Sequence, residues 1–380
     1  MMQKGKKYRV FISAADPSAD DHCANLITAL RSGGCDNIEL VGIGGPKMAQ
    51  AGCELLEVTV AKAAMLYNAF TQIGHYYMLL RRIKRYLRSN KVDLVVVCDS
   101  PALNWHVAKF AKRNGIKTLF YVAPQLWAWG GWRIRKLRNW CDKLCCLLPF
   151  EQDWFSRRGV ETVFVGNPML GAIAIEWGRP KDYAGFDPKS VRVAIMPGSR
   201  EAELKTLWQP MQQIAIRIKA KYPGATFVTV AVDAERRKSL EETQIPGFEC
   251  AYTISSVCGT AAAADFAIVA SGSATLEVAA MACPMVVMYQ SSRIAWRLVG
   301  RWLVKTKYLC LVNILAGKEL VPEFMPYFTS IDPIVESIER LLNDKGKLTQ
   351  LSGELVNLAK PLGRMNAGQE TAKVILDMLD

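Results

Sequence analysis

The chain has 380 residues, of which 51% are hydrophobic and 22% charged, a composition typical of a globular protein with two or three domains. Its formal net charge of +13 indicates an anionic partner: nucleic acid, a phosphorylated substrate or an acidic membrane. The 11 cysteines include no C-x-x-C pair, which argues against a zinc knuckle or a disulfide framework and favours reduced, cytosolic thiols.

Neither end of the chain nor its interior carries a membrane-inserting pattern. A strand-like segment follows the N-terminal lysines directly, without the apolar region of a signal peptide, and no run of about 18 apolar residues occurs. We therefore expect a cytoplasmic protein that is soluble or lies on a membrane surface.

The first half of the chain alternates short apolar runs with longer helical stretches. Each run ends in a polar or glycine-bearing turn, which is typical of βαβ units in a parallel sheet. The predicted strands are Tyr8–Ala14, Ile38–Ile43, Asp93–Cys98, Thr118–Val122, Lys143–Leu148 and Thr162–Val165.

The same alternation starts again after the turn-rich segment Gly166–Ser190. Further strands are predicted at Arg192–Met196, Thr226–Val232, Phe266–Ala270 and Met285–Tyr289, with helices at Pro333–Asn343 and Gly368–Leu379. The expected architecture is α/β, with two Rossmann-like, doubly wound domains facing a central cleft. We place the first domain at 1–168, a linker at 169–190 and the second domain at 191–345. Helices at 346–380 either complete the second domain or pack back on the first.

Asp99 follows an apolar strand directly and therefore lies at the strand's carboxyl end. A partly desolvated carboxylate there is suited to act as a general base, or it caps the next helix. Asp16 and Asp20, which follow the first strand, have the same two interpretations, and Asp16-Pro17-Ser18 also has the pattern of a turn.

The segment from Pro124 to Arg138 combines three tryptophans with a basic helix start. Aromatic stacking beside cations suits a nucleobase or a single strand. It suits a phosphoglycolipid at a membrane interface or a packed loop equally well. Nucleic acid ranks lowest, because no recognised nucleic-acid-binding fold signature accompanies the segment.

Two segments change from apolar and aromatic to basic, as a helix that docks onto anionic lipid requires. They are Ala64–Arg88 and Arg293–Lys307. A core helix with a solvated basic end is the alternative. Two such segments in a basic protein favour peripheral contact with a membrane.

The second domain opens with Ile195-Met-Pro-Gly-Ser-Arg200, a strand that ends in a tight turn before a helix. Arg200 could hold a diphosphate through a two-pronged, charge-assisted contact. Alternatively, it is a surface arginine paired with Glu203.

A small-residue turn, Ser271-Gly-Ser-Ala-Thr275, links an apolar strand to a helix that carries Glu277 in its first turn. The backbone amides of Ser271, Gly272, Ser273, Ala274 and Thr275 could approach an anion at the positive end of this helix. Glu277 could accept hydrogen bonds from a ribose diol, so a sugar-bearing diphosphate would fit. A plain strand–turn–helix connection is the alternative.

Six segments, in order along nearly the whole chain, resemble motifs of the lipid-A-disaccharide synthases, a family of GT-B glycosyltransferases. They are Gly42-Ile-Gly-Gly-Pro-Lys-Met48, Ala123-Pro-Gln-Leu-Trp-Ala-Trp129, Leu148-Pro-Phe-Glu151, Pro197-Gly-Ser-Arg200, Ala270-Ser-Gly-Ser-Ala-Thr-Leu-Glu277 and Asn313-Ile-Leu-Ala-Gly-Lys-Glu-Leu-Val-Pro-Glu323. The second and the last are the most specific to the family.

The resemblance implies an inverting transfer of 2,3-diacylglucosamine from its UDP conjugate to the 6-hydroxyl of 2,3-diacylglucosamine 1-phosphate. It implies neither a metal nor another cofactor, and no nucleic acid. It places Asp99 as the first candidate for the base and Asp16 as the second. Substrate would contact Arg200, the turn from Ser271 to Thr275 with Glu277, and further Asn313, Glu319, Glu323, Ser18, Gln125 and Trp127. An anionic membrane, at the inner face of the inner membrane, and a homodimer are the other expected partners.

The departures from the family pattern lie in the first domain. The usual Gly-Glu-Ala-Ser-Gly-Asp is Ala15-Asp16-Pro17-Ser18-Ala19-Asp20, the usual Asp-x-Pro-Asp-Phe-Asn is Asp99-Ser-Pro-Ala-Leu-Asn104, and the usual Gly-His-Pro is Gly166-Asn167-Pro168. The donor half therefore matches better than the acceptor half. Another UDP-sugar enzyme with a different acceptor, or a non-catalytic paralogue that binds UDP or lipid, is the alternative.

Overall fold

Apolar, largely β-branched runs build two separate parallel sheets in the computed structural model, which describes residues 6–35, 37–59, 69–173, 178–300, 302, 304 and 306–380. Strands such as Leu94-Val-Val-Val-Cys98 are buried throughout, as expected of parallel strands covered by helices on both faces. The described chain forms two compact units: Met1–Ala172 with Leu362–Asp380, and Ile173–Pro361.

The first unit contains a seven-stranded sheet in the order β3-β2-β1-β4-β5-β6-β7, with all neighbours parallel. Its strands are β1 Tyr8–Ala14, β2 Ile38–Gly44, β3 Glu54–Val58, β4 Leu94–Cys98, β5 Lys117–Tyr121, β6 Lys143–Cys146 and β7 Thr162–Phe164. Its helices are α1 Pro17–Ser32, α2 Pro46–Gln50, α3 Ala69–Ser89, α4 Pro101–Arg113, α5 Ile134–Trp140, α6 Pro149–Ser156 and α7 Pro168–Ile173.

The second unit contains a six-stranded sheet in the order β10-β9-β8-β11-β12-β13, again parallel. Its strands are β8 Arg192–Met196, β9 Thr226–Ala231, β10 Ala251–Ile254, β11 Phe266–Ala270, β12 Met285–Met288 and β13 Glu323–Phe324. Its helices are α8 Glu201–Lys221, α9 Ala234–Glu242, α10 Val257–Ala263, α11 Ala274–Ala280, α12 Arg293–Ala295 with a π-helical continuation Trp296–Gly300, α13 Leu311–Ala316 and α14 Asp332–Leu342.

The last two helices return the chain to the first unit. Helix α15, Lys345–Gly363, begins in the second unit and ends in the first, and α16, Ala367–Leu379, lies in the first unit and packs against α1. Val374, Ile375 and Met378 of α16 are buried in the first unit's core together with side chains of β1, β4 and α1. The amide of Asn167 donates to the carbonyl of Leu362 at 2.9 Å where the two segments meet.

Three short strands were missing from the prediction: β3, β10 and β13. Their residues are half-buried or exposed, since β3 and β10 border only one other strand and β13 has two residues. Edge strands of this kind lack the continuous apolar run by which buried parallel strands are recognised. The predicted strands of both sheets are present, several of them one or two residues shorter at their ends.

Candidate functional site

Asp16 and Asp99 follow adjacent strands of the first sheet, because β1 and β4 pair with Ala14 opposite Cys98. Asp16 caps α1: its Oδ1 accepts from the Ala19 amide at 2.8 Å and from the Ser18 hydroxyl at 3.0 Å. Its Oδ2 accepts from the Ser100 hydroxyl. This carboxylate is therefore surrounded by donors, and Ser18 contributes to the cap.

Asp99 is half-buried in a turn of unusual backbone geometry. The φ angles of Asp99 and Ser100 are +46° and +39°, in the left-handed region that non-glycine residues seldom adopt. Burial raises the pKa of the Asp99 carboxyl, the charge of Asp16 raises it further, and the Ser100 amide lowers it. A carboxyl with a raised pKa in a strained turn has the character of a general base.

Asp20, the third acid after the first strand, has a structural role. It is buried, and its carboxylate accepts from the amides of Gly45, Lys47 and Met48 at 2.9, 3.2 and 3.0 Å. These contacts hold the N-terminus of α2 against α1.

Trp127 and Gln125, both predicted to contact substrate, differ in their exposure to solvent. Trp127 is buried, and its Nε1 donates to Oε1 of the buried Glu151 at 2.8 Å, so this indole fastens the loop to α6. Gln125 is exposed, and so are the rings of Trp129 and Trp132. The Arg133 guanidinium lies 4.1 Å from the Trp129 ring centroid. The burial of Trp127 therefore agrees with the packed-loop interpretation, whereas the rings of Trp129 and Trp132 are accessible to solvent.

A pocket of about 310 Å³ lies in the second unit, at the carboxyl ends of its central strands. The strand order reverses between β8 and β11, and such a switch point is where doubly wound sheets bind ligands. Several predicted residues line it together: Arg200, Ser271, Gly272, Ser273, Ala274 and Glu277. Residues distant in sequence are thereby brought to one site.

Two of the five backbone amides in the turn after β11 donate to carbonyls of the protein. The Ser271 amide donates to the Met288 carbonyl at 2.9 Å, and the Thr275 amide to the Gly272 carbonyl at 3.3 Å. Within the described part of the chain, the amides of Gly272, Ser273 and Ala274 have no hydrogen-bond partner. Of the five amides predicted to face an anion, those of Ser271 and Thr275 are therefore already used within the protein. The hydroxyl of the buried Thr275 also donates to the Gly272 carbonyl, which fixes the turn.

Arg200 pairs with Glu203, as one of its two interpretations predicts, and it also lines the pocket. Its Nη1 donates to Glu203 Oε1 at 3.2 Å, but 82% of its side chain is exposed at the pocket. The other Glu203 oxygen accepts from the amides of Ser199 and Arg200 at 3.1 and 3.2 Å. Gly198 has a φ of +104°, and a Cβ there would meet Glu203 Oε2 at 2.4 Å, so the tight turn requires glycine.

Glu277 lies half-buried in the pocket wall. Burial raises the pKa of its carboxyl, and a contact with Cys258, whose Sγ donates to Oε2 at 3.6 Å, opposes that rise. Cys258 is on α10, which follows β10, a strand that the sequence did not reveal. Because β10 was not predicted, the pocket residues that follow it, Ser255, with a φ of +50°, and Val257, were not predicted either.

Asn313, Glu319 and Glu323 do not line this pocket. Asn313 is fully buried: its Oδ1 accepts from the amides of Leu320 and Val321, and its Nδ2 donates to Glu323 Oε2 at 3.0 Å. Glu323 also accepts from the amides of Leu309 and Cys310. The pair holds the segment between α13 and β13 together, while Glu319 is exposed.

The two amphipathic segments are only partly described. Met65, Leu66 and Tyr67 lie outside the described residues, as do Arg301 and Lys305. On α3, Tyr77 and Met78 are exposed beside Arg81, Lys84 and Arg85. Beyond β12, exposed Ile294, Leu298 and Trp302 are spaced at helical intervals among arginines. Among the helices searched, none is both long and apolar enough to cross a bilayer.

The described residues include no group of three or more His, Cys, Asp or Glu side chains that could hold a metal ion.

Comparison with known proteins places the chain among sugar-nucleotide enzymes. The profile of the family described as Lipid-A-disaccharide synthetase matches residues 10–369. The lipid-A-disaccharide synthase of Geobacter metallireducens is 31% identical over 379 residues, covering 98% of this chain and 97% of the relative. That of Coxiella burnetii is 31% identical over 381 residues, covering 97% and 98%.

Solved structures with a similar fold are more distant in sequence. UDP-GlcNAc 2-epimerase from Neisseria meningitidis bound to UDP-GlcNAc has a TM-score of 0.62 at 14% identity, covering 98% of this chain and 100% of the other. MurG of Acinetobacter baumannii has a TM-score of 0.57 at 14% identity, covering 98% and 99%. With the two parallel sheets, this likeness confirms the predicted fold class.

Proposed function

Because this chain belongs to the lipid-A-disaccharide synthase family, we propose that it transfers 2,3-diacylglucosamine from its UDP conjugate to 2,3-diacylglucosamine 1-phosphate. The acceptor's 6-oxygen forms a bond to the anomeric carbon of the donor sugar, and the bond from that carbon to the diphosphate breaks. UDP leaves with the bonding electron pair, and the acceptor's hydroxyl proton passes to a base. The product is a β-1,6-linked disaccharide with inverted configuration at the donor carbon.

The pocket of the second unit carries this proposal, because its groups match the parts of a nucleoside diphosphate. The amides of Gly272, Ser273 and Ala274 and the guanidinium of Arg200 face the charge that develops on the departing diphosphate. Glu277, in the same wall, is placed to hydrogen-bond the ribose diol. The observation that supports it most directly is that Arg200 and the segment from Ser271 to Glu277, about 70 residues apart in sequence, line one pocket at the switch point of the sheet.

Asp99 is the proposed base in the first unit. Because burial and the Asp16 charge raise the pKa of its carboxyl, it accepts a proton more readily than an exposed aspartate does. Asp16 is the weaker candidate, since its oxygens already accept from Ala19, Ser18 and Ser100. Its role is to cap α1 and to add negative charge near Asp99.

The acyl chains of both substrates require access to a membrane, and the exposed apolar stripe of Ile294, Leu298 and Trp302 would provide it. Arg293 and Arg297 flank this stripe and suit anionic lipid headgroups. We place the protein at the inner face of the inner membrane. A homodimer remains a prediction that sedimentation of the purified chain would test.

The experiment that tests this function is UDP release from UDP-2,3-diacylglucosamine, with and without the acceptor. Release that requires the acceptor and yields the β-1,6 disaccharide is the expected result. Release without any acceptor, or a donor converted to an isomeric UDP-sugar, would place the chain with other sugar-nucleotide enzymes. Binding of UDP with no turnover would identify a non-catalytic relative.

A further inference from the structure

Asp99, the proposed base, lies in a turn where two successive residues have a left-handed backbone conformation. The φ angles of +46° at Asp99 and +39° at Ser100 cost on the order of 1 kcal/mol or more each for residues with a Cβ. Such a turn persists only where its surroundings hold it. The backbone of Asp99 is fixed on one side by its amide, which donates to the Tyr121 carbonyl at 3.1 Å.

Asn104, in the first turn of α4, holds the other side. This side chain is fully buried, and its Nδ2 donates to the carbonyl of Cys98 at 2.9 Å and to that of Asp99 at 2.8 Å. Its Oδ1 accepts from the hydroxyl of Ser13 at 2.7 Å. Ser13 is itself fully buried on β1. One amide group therefore ties the end of β4 to the neighbouring strand.

These contacts exceed what the start of a helix needs. The cap residue of α4 is Ser100, but its hydroxyl donates to Asp16 instead of capping the helix. Asn104 likewise binds carbonyls of the preceding strand and turn rather than the helix's own free amides. The polar groups thus converge on the turn that carries Asp99.

We propose that Asn104 and Ser13 form a positioning pair that fixes the Asp99 carboxylate for proton transfer. This inference rests on the proposed function, in which Asp99 is the base. Because both side chains are fully buried, they act through the backbone of the turn. A displacement of about 1 Å at a reacting group can cost about 100-fold in rate, so the pair has a large effect on turnover and little on binding.

The test compares Asn104→Ala and Ser13→Ala with Thr118→Val in acceptor-dependent UDP release. Asn104→Ala leaves the carbonyls of Cys98 and Asp99 without their side-chain donor, and kcat falls about 10- to 100-fold. The KM values for donor and acceptor stay within about threefold. Ser13→Ala gives a smaller fall of the same kind. The acidic limb of the kcat/KM profile moves in both, because the surroundings of the Asp99 carboxyl change.

Thr118→Val is the matched control. Thr118 is fully buried at the opposite end of β5, the strand beside β4, and its hydroxyl donates to the Ile116 carbonyl at 3.2 Å. This variant loses a buried hydrogen bond without touching the turn, so its melting temperature falls while kcat and the acidic limb stay as in the wild type.

An Asn104→Ala protein that loses stability like the control but keeps kcat and its acidic limb would overturn the proposal. If Asn104→Ala does not fold, Ser13→Ala decides by the same two readouts. A wild-type enzyme without acceptor-dependent release would instead contradict the proposed function, so the two failures are distinguishable.

Discussion

At the scale of single residues, Arg200 illustrates how an exposed ion pair leaves a cation available. Its side chain is 82% exposed, so water screens its contact with Glu203, although the Glu203 side chain itself is only 10% exposed. Glu203 is held mainly by the amides of Ser199 and Arg200. The guanidinium can therefore turn to a diphosphate at small cost.

Replacement of Arg200 by alanine should weaken nucleotide binding. A hydrogen bond to a charged group contributes about 1.5–3 kcal/mol, so the Kd for UDP should rise about 10- to 100-fold. Isothermal titration calorimetry measures this directly. Arg217→Ala is the control, since Arg217 is also exposed and pairs with Asp332 at 2.9 Å but does not line the pocket. Equal Kd values for the two variants would contradict the assignment.

Site residues were predictable from the sequence where a turn follows a strand, and less so where side chains pair across the chain. Asp99, Arg200 and the turn from Ser271 lie at strand ends, so the strand pattern alone placed them. Pairing of Asn313 with Glu323 depends on a reversal of the chain between them, which no local pattern encodes. The positive φ of Ser100, whose hydroxyl donates to the distant Asp16, likewise has no local sequence signal.

At the scale of elements, the loop after β5 is joined to α6 through one buried carboxyl. Glu151 accepts from Trp127 Nε1 at 2.8 Å and from the amides of Leu147 and Leu148 at 3.2 and 3.1 Å. Burial raises the pKa of Glu151 to about 7, although these three donors oppose the rise. The tryptophan motif is thus linked, through Trp127, to an ionisable side chain of the Leu148-Pro-Phe-Glu151 motif.

The raised pKa predicts that Glu151 makes stability depend on pH. An acid whose folded pKa lies above its unfolded value binds more protons when folded, so it stabilises at low pH. That contribution is complete below about 4.5 and is lost as pH rises through about 7. At about 1.4 kcal/mol per pKa unit, the change is about 3 kcal/mol at most.

Thermal melts of wild type and Glu151→Gln at pH 5.5 and 8.5 would measure this effect. Wild type should lose more stability between the two pH values than the variant, which cannot ionise there. The difference between the two proteins removes the contribution of other titrating groups. Parallel losses in both proteins would show that Glu151 is ionised throughout.

Helices and buried strands were largely predictable, and edge strands were not. Strands β4, β8 and β11 are continuous apolar runs. Strand β10 has a partly exposed sequence, Ala251-Tyr-Thr-Ile254, and becomes a strand only by pairing with β9. Because Ser255 and Val257 follow it, one wall of the pocket could not be assigned beforehand.

At the scale of the whole molecule, the net charge of +13 and the exposed apolar stripe point to the same surface chemistry. Ile294 and Leu298 are 72% and 70% exposed. Grouped apolar side chains with this exposure indicate a surface that contacts a partner or a membrane. If the proposed acylated substrates are correct, attraction of this basic protein to anionic lipid would favour their access to the site. We therefore propose that the stripe and the charge act together.

An Ile294→Ser, Leu298→Ser double variant should bind anionic vesicles at least about tenfold more weakly, because the loss of only two methylene groups that insert into the membrane, at about 0.8 kcal/mol each, already has that effect. Sedimentation with phosphatidylglycerol vesicles measures the binding. Val58→Ser, an exposed apolar position on β3, is the control and should bind as the wild type does. Unchanged binding of the double variant would remove this stripe as the docking surface.

In the proposed function, the second unit binds the nucleotide and Asp99 in the first unit abstracts the proton. Asp99→Asn, assayed for both acceptor-dependent UDP release and UDP affinity, tests that division most directly. Turnover should fall by at least about 100-fold, the usual effect of removing a general base, while the Kd for UDP stays within about threefold. Retained turnover, or a parallel loss of UDP affinity, would contradict it.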